Sequence, residues 1–244
     1  MLPVPSTAIE SKSTLNARVL AQIRSDIVTC RLLPSERLRM EALRARYRVG
    51  ATPIREALMR LEAEGLVQLE QNKGFRVSSV SGESLRDLMR CRIEIEGLAL
   101  RWSMERGGVE WEANLLGAFH RLSRERKIGA HDKTSISPQW SIRHRAFHLA
   151  LVAACASPAL LTIRDGLFDQ AERYVALSIM SKAVFRDDVA EHEEIMRAAL
   201  ARDVGKAVKL SREHIERTTE KVAKSLEQVR AAPKLRIANG RPPK

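Results

Sequence analysis

The stretch VGATPIREALMRLEAEG, residues 49–65, is firmly punctuated at both ends. Thr52 can cap a helix that holds Pro53 in its first turn, where a proline breaks no helical hydrogen bond. Ile54, Leu58 and Leu61 then share one face, and Gly65 supplies the stop. A helix bounded so tightly restricts its surroundings. Upstream, Leu15, Val19, Ile23 and Ile27 recur every four residues as the face of an earlier helix, which ends at Pro34 and Ser35. A short helix over about Met40–Tyr47 follows. Downstream, LVQLE and FRVSSV are β-rich runs, and QNKG between them reads as a hairpin turn. The order is helix, short helix, turn, helix, hairpin. After Val80 no convincing strand remains, and the chain reads as successive amphipathic helices punctuated at RGGVE, KIGAHDKTSIS and ARDVG.

This division predicts four segments. Residues 1–14 are expected to be a disordered lead-in, 15–80 a first domain, 81–230 a helical domain and 231–244 a basic flexible tail. The 244 residues allow two ordinary domains. No apolar run approaches membrane-spanning length and the N-terminus lacks a secretory pattern, so neither membrane nor export is expected. Cys30, Cys91 and Cys155 are too scattered for a disulfide framework or a zinc knuckle, and read as reduced cytoplasmic thiols.

Charge is distributed unevenly. Residues 15–80 hold 12 Lys and Arg against 7 Asp and Glu, whereas 81–230 hold 25 against 22. A basic first third and a basic tail suit a polyanion, most simply nucleic acid. Two helices joined by a turn, the second opening at a Thr-Pro, are the pattern of a helix-turn-helix, with the hairpin as its wing. A helix fits the major groove with its N-terminal residues at the base edges, while basic side chains meet phosphates. The exposed candidates are Arg44, Arg46, Arg48, Thr52, Arg55 and the wing tip Lys73-Gly74; each arginine could equally be a solvated helix residue.

The run RVGATPIREALMRLEAEGLVQLEQNKGFRV resembles the signature of the GntR family of bacterial transcription regulators. Arg55, Glu56, Ala57, Leu58, Leu61, Gly65 and Leu66 carry the match. The resemblance implies that Thr52 and Arg55 meet DNA and that the wing near Lys73 and Gly74 enters the minor groove. It also implies a dimer on double-stranded operator DNA. Gly50-Ala51 stand where the family usually has Ser-Arg, an arginine that commonly reads guanine, and Glu41 falls where a basic residue is frequent. The operator is therefore expected to differ from the usual one.

In SIRHRAFHLAL, residues 141–151, His144 and His148 are four apart and share a helix face. His192 and His214 lie in later helical segments, while His120 and His131 sit in unpatterned, polar surroundings. Two ligands from one helix and one from each of two others can converge inside a bundle, but packed or surface histidines fit the spacing as well. The second domain resembles the FCD group, named for the C-terminal domain of the fatty-acid regulator FadR. In many of its members one aspartate and three histidines bind a divalent metal. Carried over, His148, His192 and His214 match the histidines, and His144 occupies the aspartate position. His144 either completes an all-histidine site or turns away. Imidazole in place of carboxylate favours Zn or Ni over Mn or Mg. AACASPALL and LFDQAERY further resemble the subgroup around CsiR, the carbon-starvation-induced regulator, which implies a small carboxylate effector. Arg92, with Ile95, Leu98 and Ala99 marking the core face, is the first candidate to clamp it, unless it forms a structural salt bridge to a carboxylate such as Glu96; Arg173 and Tyr174 are further candidates.

The expected architecture is mainly α: an N-terminal winged helix-turn-helix and a C-terminal antiparallel helical bundle of FCD type. The expected function is a metabolite-responsive, DNA-binding repressor. A non-switching DNA binder is the alternative. A metal-dependent enzyme would leave the helix-turn-helix unexplained, and no nucleophile elbow or P-loop is present.

Overall fold

The computed structural model describes residues 7–128, 136–180 and 188–231, and falls into two compact units divided between Val80 and Ser81. The first unit contains α1 (Thr7–Val28), β1 (Arg37–Leu38), α2 (Met40–Tyr47), α3 (Ala51–Ala63), β2 (Val67–Glu70) and β3 (Gly74–Val77). The three strands form an antiparallel sheet in the order β1-β3-β2, with Leu38 opposite Phe75 and Val67 opposite Val77. Val19, Ile23 and Ile27 of α1 meet Leu43 of α2, Ile54, Leu58 and Leu61 of α3, and Val77 of β3 in one core. The two periodicities read from sequence are thus the two sides of that core.

The details differ in three places. α1 begins at Thr7, inside the expected lead-in. No proline or glycine separates Thr7 from Leu15, so a helix nucleated downstream propagates backward at little cost. The cap of α3 is Gly50 rather than Thr52, which lies in the first turn. Arg48 closes α2 in the left-handed conformation, so the chain re-enters helix two residues earlier than the Thr-Pro signal indicates. The hairpin gains a third strand, β1, too short to leave a sequence pattern. Its turn holds Asn72 and Gly74 at positive φ, 60° and 82°, where asparagine and glycine are tolerated best.

The second unit is helical: α4 (Gly82–Arg106), α5 (Val109–Ser123), α6 (Pro138–Val152), α7 (Pro158–Met180), α8 (Val189–Leu200) and α9 (Val204–Ala231). Local capping sets several starts. Ser81 Oγ accepts from Ser84 N at 3.0 Å before α4, and Asp203 Oδ1 accepts from Lys206 N at 3.0 Å before α9. Leu100, Met104, Trp111, Leu115, Trp140, Phe147, Leu151 and Ile195 form the core. Leu98, expected on that core face, is 37% exposed, whereas Arg92, Ala99 and Leu100 are buried. At the α8–α9 turn, Arg202 adopts φ 58°, donates to the carbonyls of Met104 and Gly107, and pairs with Glu112. It thereby ties this turn to the α4–α5 junction. The basic tail beyond Ala231 and His131 lie outside the described residues.

Leu58 is fully buried between α1 and the sheet. Leu58→Ala should destabilise the first unit by about 2–5 kcal/mol, read as a lowered urea midpoint by circular dichroism.

Candidate functional site

α6 presents His144 and His148 one turn apart, α8 presents His192 and α9 presents His214, all buried. One ring nitrogen from each lies within 4.8 Å of the others. His148 Nε2 is 3.1 Å from His144 Nε2 and 3.2 Å from His192 Nε2. A neutral imidazole nitrogen carries at most one proton, so His148 Nε2 cannot donate to both neighbours at once. Lone pairs therefore crowd one point, as suits a cation. The orientation of His214 is fixed by its second nitrogen: Nδ1–H donates to Glu191 Oε2 at 2.8 Å, which turns Nε2 toward the other histidines. Glu191 is itself held by Arg217 Nε at 3.1 Å. Trp140 stacks on the His144 ring, with centroids 4.4 Å apart and planes 17° from parallel.

Burial makes these rings ligands rather than acids. It pushes the His144 and His148 pKa values well below the ordinary histidine value, with neighbouring histidines adding to the effect. His192 is pushed down to about 3, chiefly by burial and then by His214. Neutral imidazole needs no proton removed before it binds a transition metal.

Beside the cluster is a pocket lined by Arg92, Lys127, Trp140, His144, Glu172, Asp188, His214 and Lys221, among others. Arg92 is buried 3.5 Å from Glu96 and lies 4.6 Å over the Phe168 ring. Glu96 also accepts from the buried Arg164 at 3.1 Å, so it is shared between two guanidinium groups. Burial pushes the Glu172 carboxyl upward, against the pull of Arg92. Burial would raise Asp188 too, but the Lys127 ammonium holds it below the usual carboxylate range. Arg173 and Tyr174 do not line this pocket: Tyr174 is buried, and Arg173 lies 5.6 Å over its ring. Glu172 instead faces the pocket with Val175 and Ile179, the spacing of one helix face. Residues one and two positions beyond Glu172 are turned about 100° and 200° away. Lys127, Glu172 and Asp188 escaped the sequence reading. Asp188, four residues before His192, was the detectable one.

In the first unit, Arg44, Arg48, Thr52 and Arg55 are exposed at α2 and the start of α3, and Lys73 and Gly74 are exposed at the hairpin tip. Arg44 and Arg55 have no ion-pair partner among the described residues. Arg46 differs: its Nη2 pairs with Asp26 Oδ2 at 2.8 Å, and Asp26 also accepts from Tyr47 Oη at 2.8 Å and Arg31 Nε at 3.0 Å. Arg46 is thus engaged in fastening α2 to α1. Arg37 was missed; its Nη2 donates to the Lys73 carbonyl at 3.0 Å and holds the hairpin tip.

Comparison with known proteins matches residues 15–77 to the family described as bacterial regulatory proteins, gntR family, and residues 87–217 to the FCD domain. The chain belongs to the GntR family and carries an FCD domain. This GntR-family protein is 39% identical over 197 residues to the HTH-type transcriptional repressor GlaR of Escherichia coli, covering 79% of this chain and 89% of that protein. It is 38% identical over 214 residues to the HTH-type regulator BphR of Paraburkholderia xenovorans, covering 88% of this chain and 86% of that protein. The fold matches E. coli McbR/YncC with a TM-score of 0.71 at 21% identity, over 88% of this chain and 98% of that one. The protein is therefore a DNA-binding transcription regulator rather than an enzyme. Among the described residues, no helix is long and apolar enough to cross a membrane.

The depressed histidines predict a pH dependence. The unfolded chain titrates its histidines near 6.5, whereas folded His192 titrates at about 3. Between these values the unfolded chain binds more protons. The histidine contribution is thus intact above about pH 6.5 and is lost on acidification, by up to about 1.4 kcal/mol per pH unit per group. Calorimetry on chelator-treated protein should show the melting temperature falling from pH 7 to 5, with a shallower fall in His192→Asn.

Proposed function

We propose that this protein is a metabolite-responsive repressor in which residues 15–80 bind operator DNA and residues 81–230 bind an effector and dimerise. Repression is the role named for GlaR, and the CsiR-type sequence features favour a small carboxylate as effector. The observation that carries the reading is a cluster of four buried imidazoles, two of which, His144 and His214, line the same pocket as Arg92. His144, His148, His192 and His214 would hold a divalent transition metal, Zn or Ni. The ion would supply a Lewis-acidic anchor for a carboxylate oxygen. Because no carboxylate is in the donor set, the ion would keep its full charge and draw an anion strongly. Arg92, steadied by Glu96 and Phe168, would meet the same anion with its planar fork.

In the head, Thr52 and Arg55 at the start of α3 would reach the major groove, Arg44 and Arg48 the phosphates, and Lys73 and Gly74 the minor groove. Arg46 would act mainly by holding α2. Two heads on a symmetric dimer would read an inverted repeat in the cytoplasm, and effector binding would shift the population of head spacings.

Gel-shift titration at fixed salt tests each part. Arg55→Ala should weaken operator binding by about 1–3 kcal/mol, roughly five- to 150-fold. His148→Ala with His192→Ala should abolish bound metal and effector response while specific operator binding persists. An unchanged response in that double variant would eliminate the metal pocket, and absence of any carboxylate response in the parent protein would leave a non-switching DNA binder.

A further inference from the structure

The least expected pair in the pocket is Lys127 with Asp188. Lys127 Nζ lies 2.5 Å from Asp188 Oδ2, and the two side chains are 21% and 8% exposed. The ammonium also sits 4.6 Å over the Trp140 ring, whose other neighbour is the His144 imidazole. Lys127 and His144 thus both pack on the Trp140 ring. Asp188 is the residue that precedes α8, at the N-cap, yet its side chain makes no capping hydrogen bond. Aspartate is among the best N-capping residues, because its carboxylate can accept from the N–H groups of the first turn and face the positive end of the helix dipole. In this structure the carboxylate is turned to Lys127, and the backbone of Asp188, at φ −107° and ψ 8°, is short of the extended conformation from which an N-cap side chain reaches the first turn, so capping α8 requires a turn of this residue away from its present position.

We propose that Lys127 is a second anion-binding residue of the pocket, held in reserve by Asp188, and that a carboxylate effector displaces Asp188 from the ammonium while Asp188 turns to cap α8. This rests on the reading that the pocket takes a carboxylate effector, and adds to it a residue and a coupled movement. The exchange replaces one carboxylate by another at the same ammonium, so the charge balance around Lys127 is kept. The released Asp188 is not left unpartnered, since α8 offers it N–H groups. Lysine suits this role because its ammonium is a compact charge with three rotatable donors, which can transfer between acceptors without the fixed fork of an arginine.

The proposal requires opposite effects from the two partners. Lys127→Met removes the anion-binding group, whereas Asp188→Asn removes the competing carboxylate but keeps a good N-cap. Full-length protein loaded with Zn(II), its metal content checked for each variant, would be titrated by calorimetry with acetate, succinate and citrate. For whichever carboxylate binds the parent, Lys127→Met should weaken binding by about tenfold or more, since a charge-assisted contact is lost. Lys127→Arg should restore part of it, and Asp188→Asn should tighten binding several-fold. Weakening in both Lys127→Met and Asp188→Asn would mark the pair as purely structural and overturn the proposal, as would Lys127→Met binding within twofold of the parent. If the parent binds none of the three, the carboxylate reading itself fails and the proposal falls with it. If Lys127→Met does not fold, the sign of the Asp188→Asn effect decides alone.

Discussion

Imidazoles buried side by side are held to the neutral form, as His144, His148 and His192 are. A charged ring among them would lose its water and would repel any second charged ring, and burial is the larger cause at each depressed histidine. That restriction organises the second unit. α6, α8 and α9 must approach until their histidine faces meet, and the aromatic rings of Trp140, Phe147 and Phe168 fill the space around them. Charge is kept one layer further out, on Glu191, Glu172 and Asp188, each set against a cation or a histidine. The centre is neutral and electron-rich, and its rim is ionic.

The first unit solves a different problem: holding two short helices at a fixed angle with little core. Thirteen buried apolar residues do most of this, and Asp26 does the rest. By accepting from Tyr47, Arg31 and Arg46 it makes one carboxylate the junction of α1 with α2. An arginine that a charge count would award to DNA is partly committed to the protein itself.

How much of this could be read from sequence follows from how local each signal is. Pro53, Gly65 and QNKG act within a few residues, so α3 and the hairpin were legible; the family signature in the same stretch extended that to the whole head. β1 was not, because its two residues pair with Phe75 and Arg76, far along the chain. The pair His144 and His148 had a visible spacing, but its meeting with His192 and His214 is a tertiary fact that only the FCD resemblance anticipated. Arg173 and Tyr174 lie off the pocket through helical phase, since Glu172, beside them in sequence, is on the face that lines it. Lys127 had no periodic context at all, since it lies where the chain leaves α5.

Arg202 gives the second unit a fulcrum. By tying the α8–α9 turn to the ends of α4 and α5, it fixes one extremity of both helices that bring single histidines to the cluster. α8 is 12 residues long, so its opposite end lies about 18 Å from that anchor. Any tilt of α8 is then least at Arg202 and greatest at Asp188, with His192 along the same arm. The end of α8 that would move most is thus the end that lines the pocket, where the Asp188–Lys127 pair sets its position.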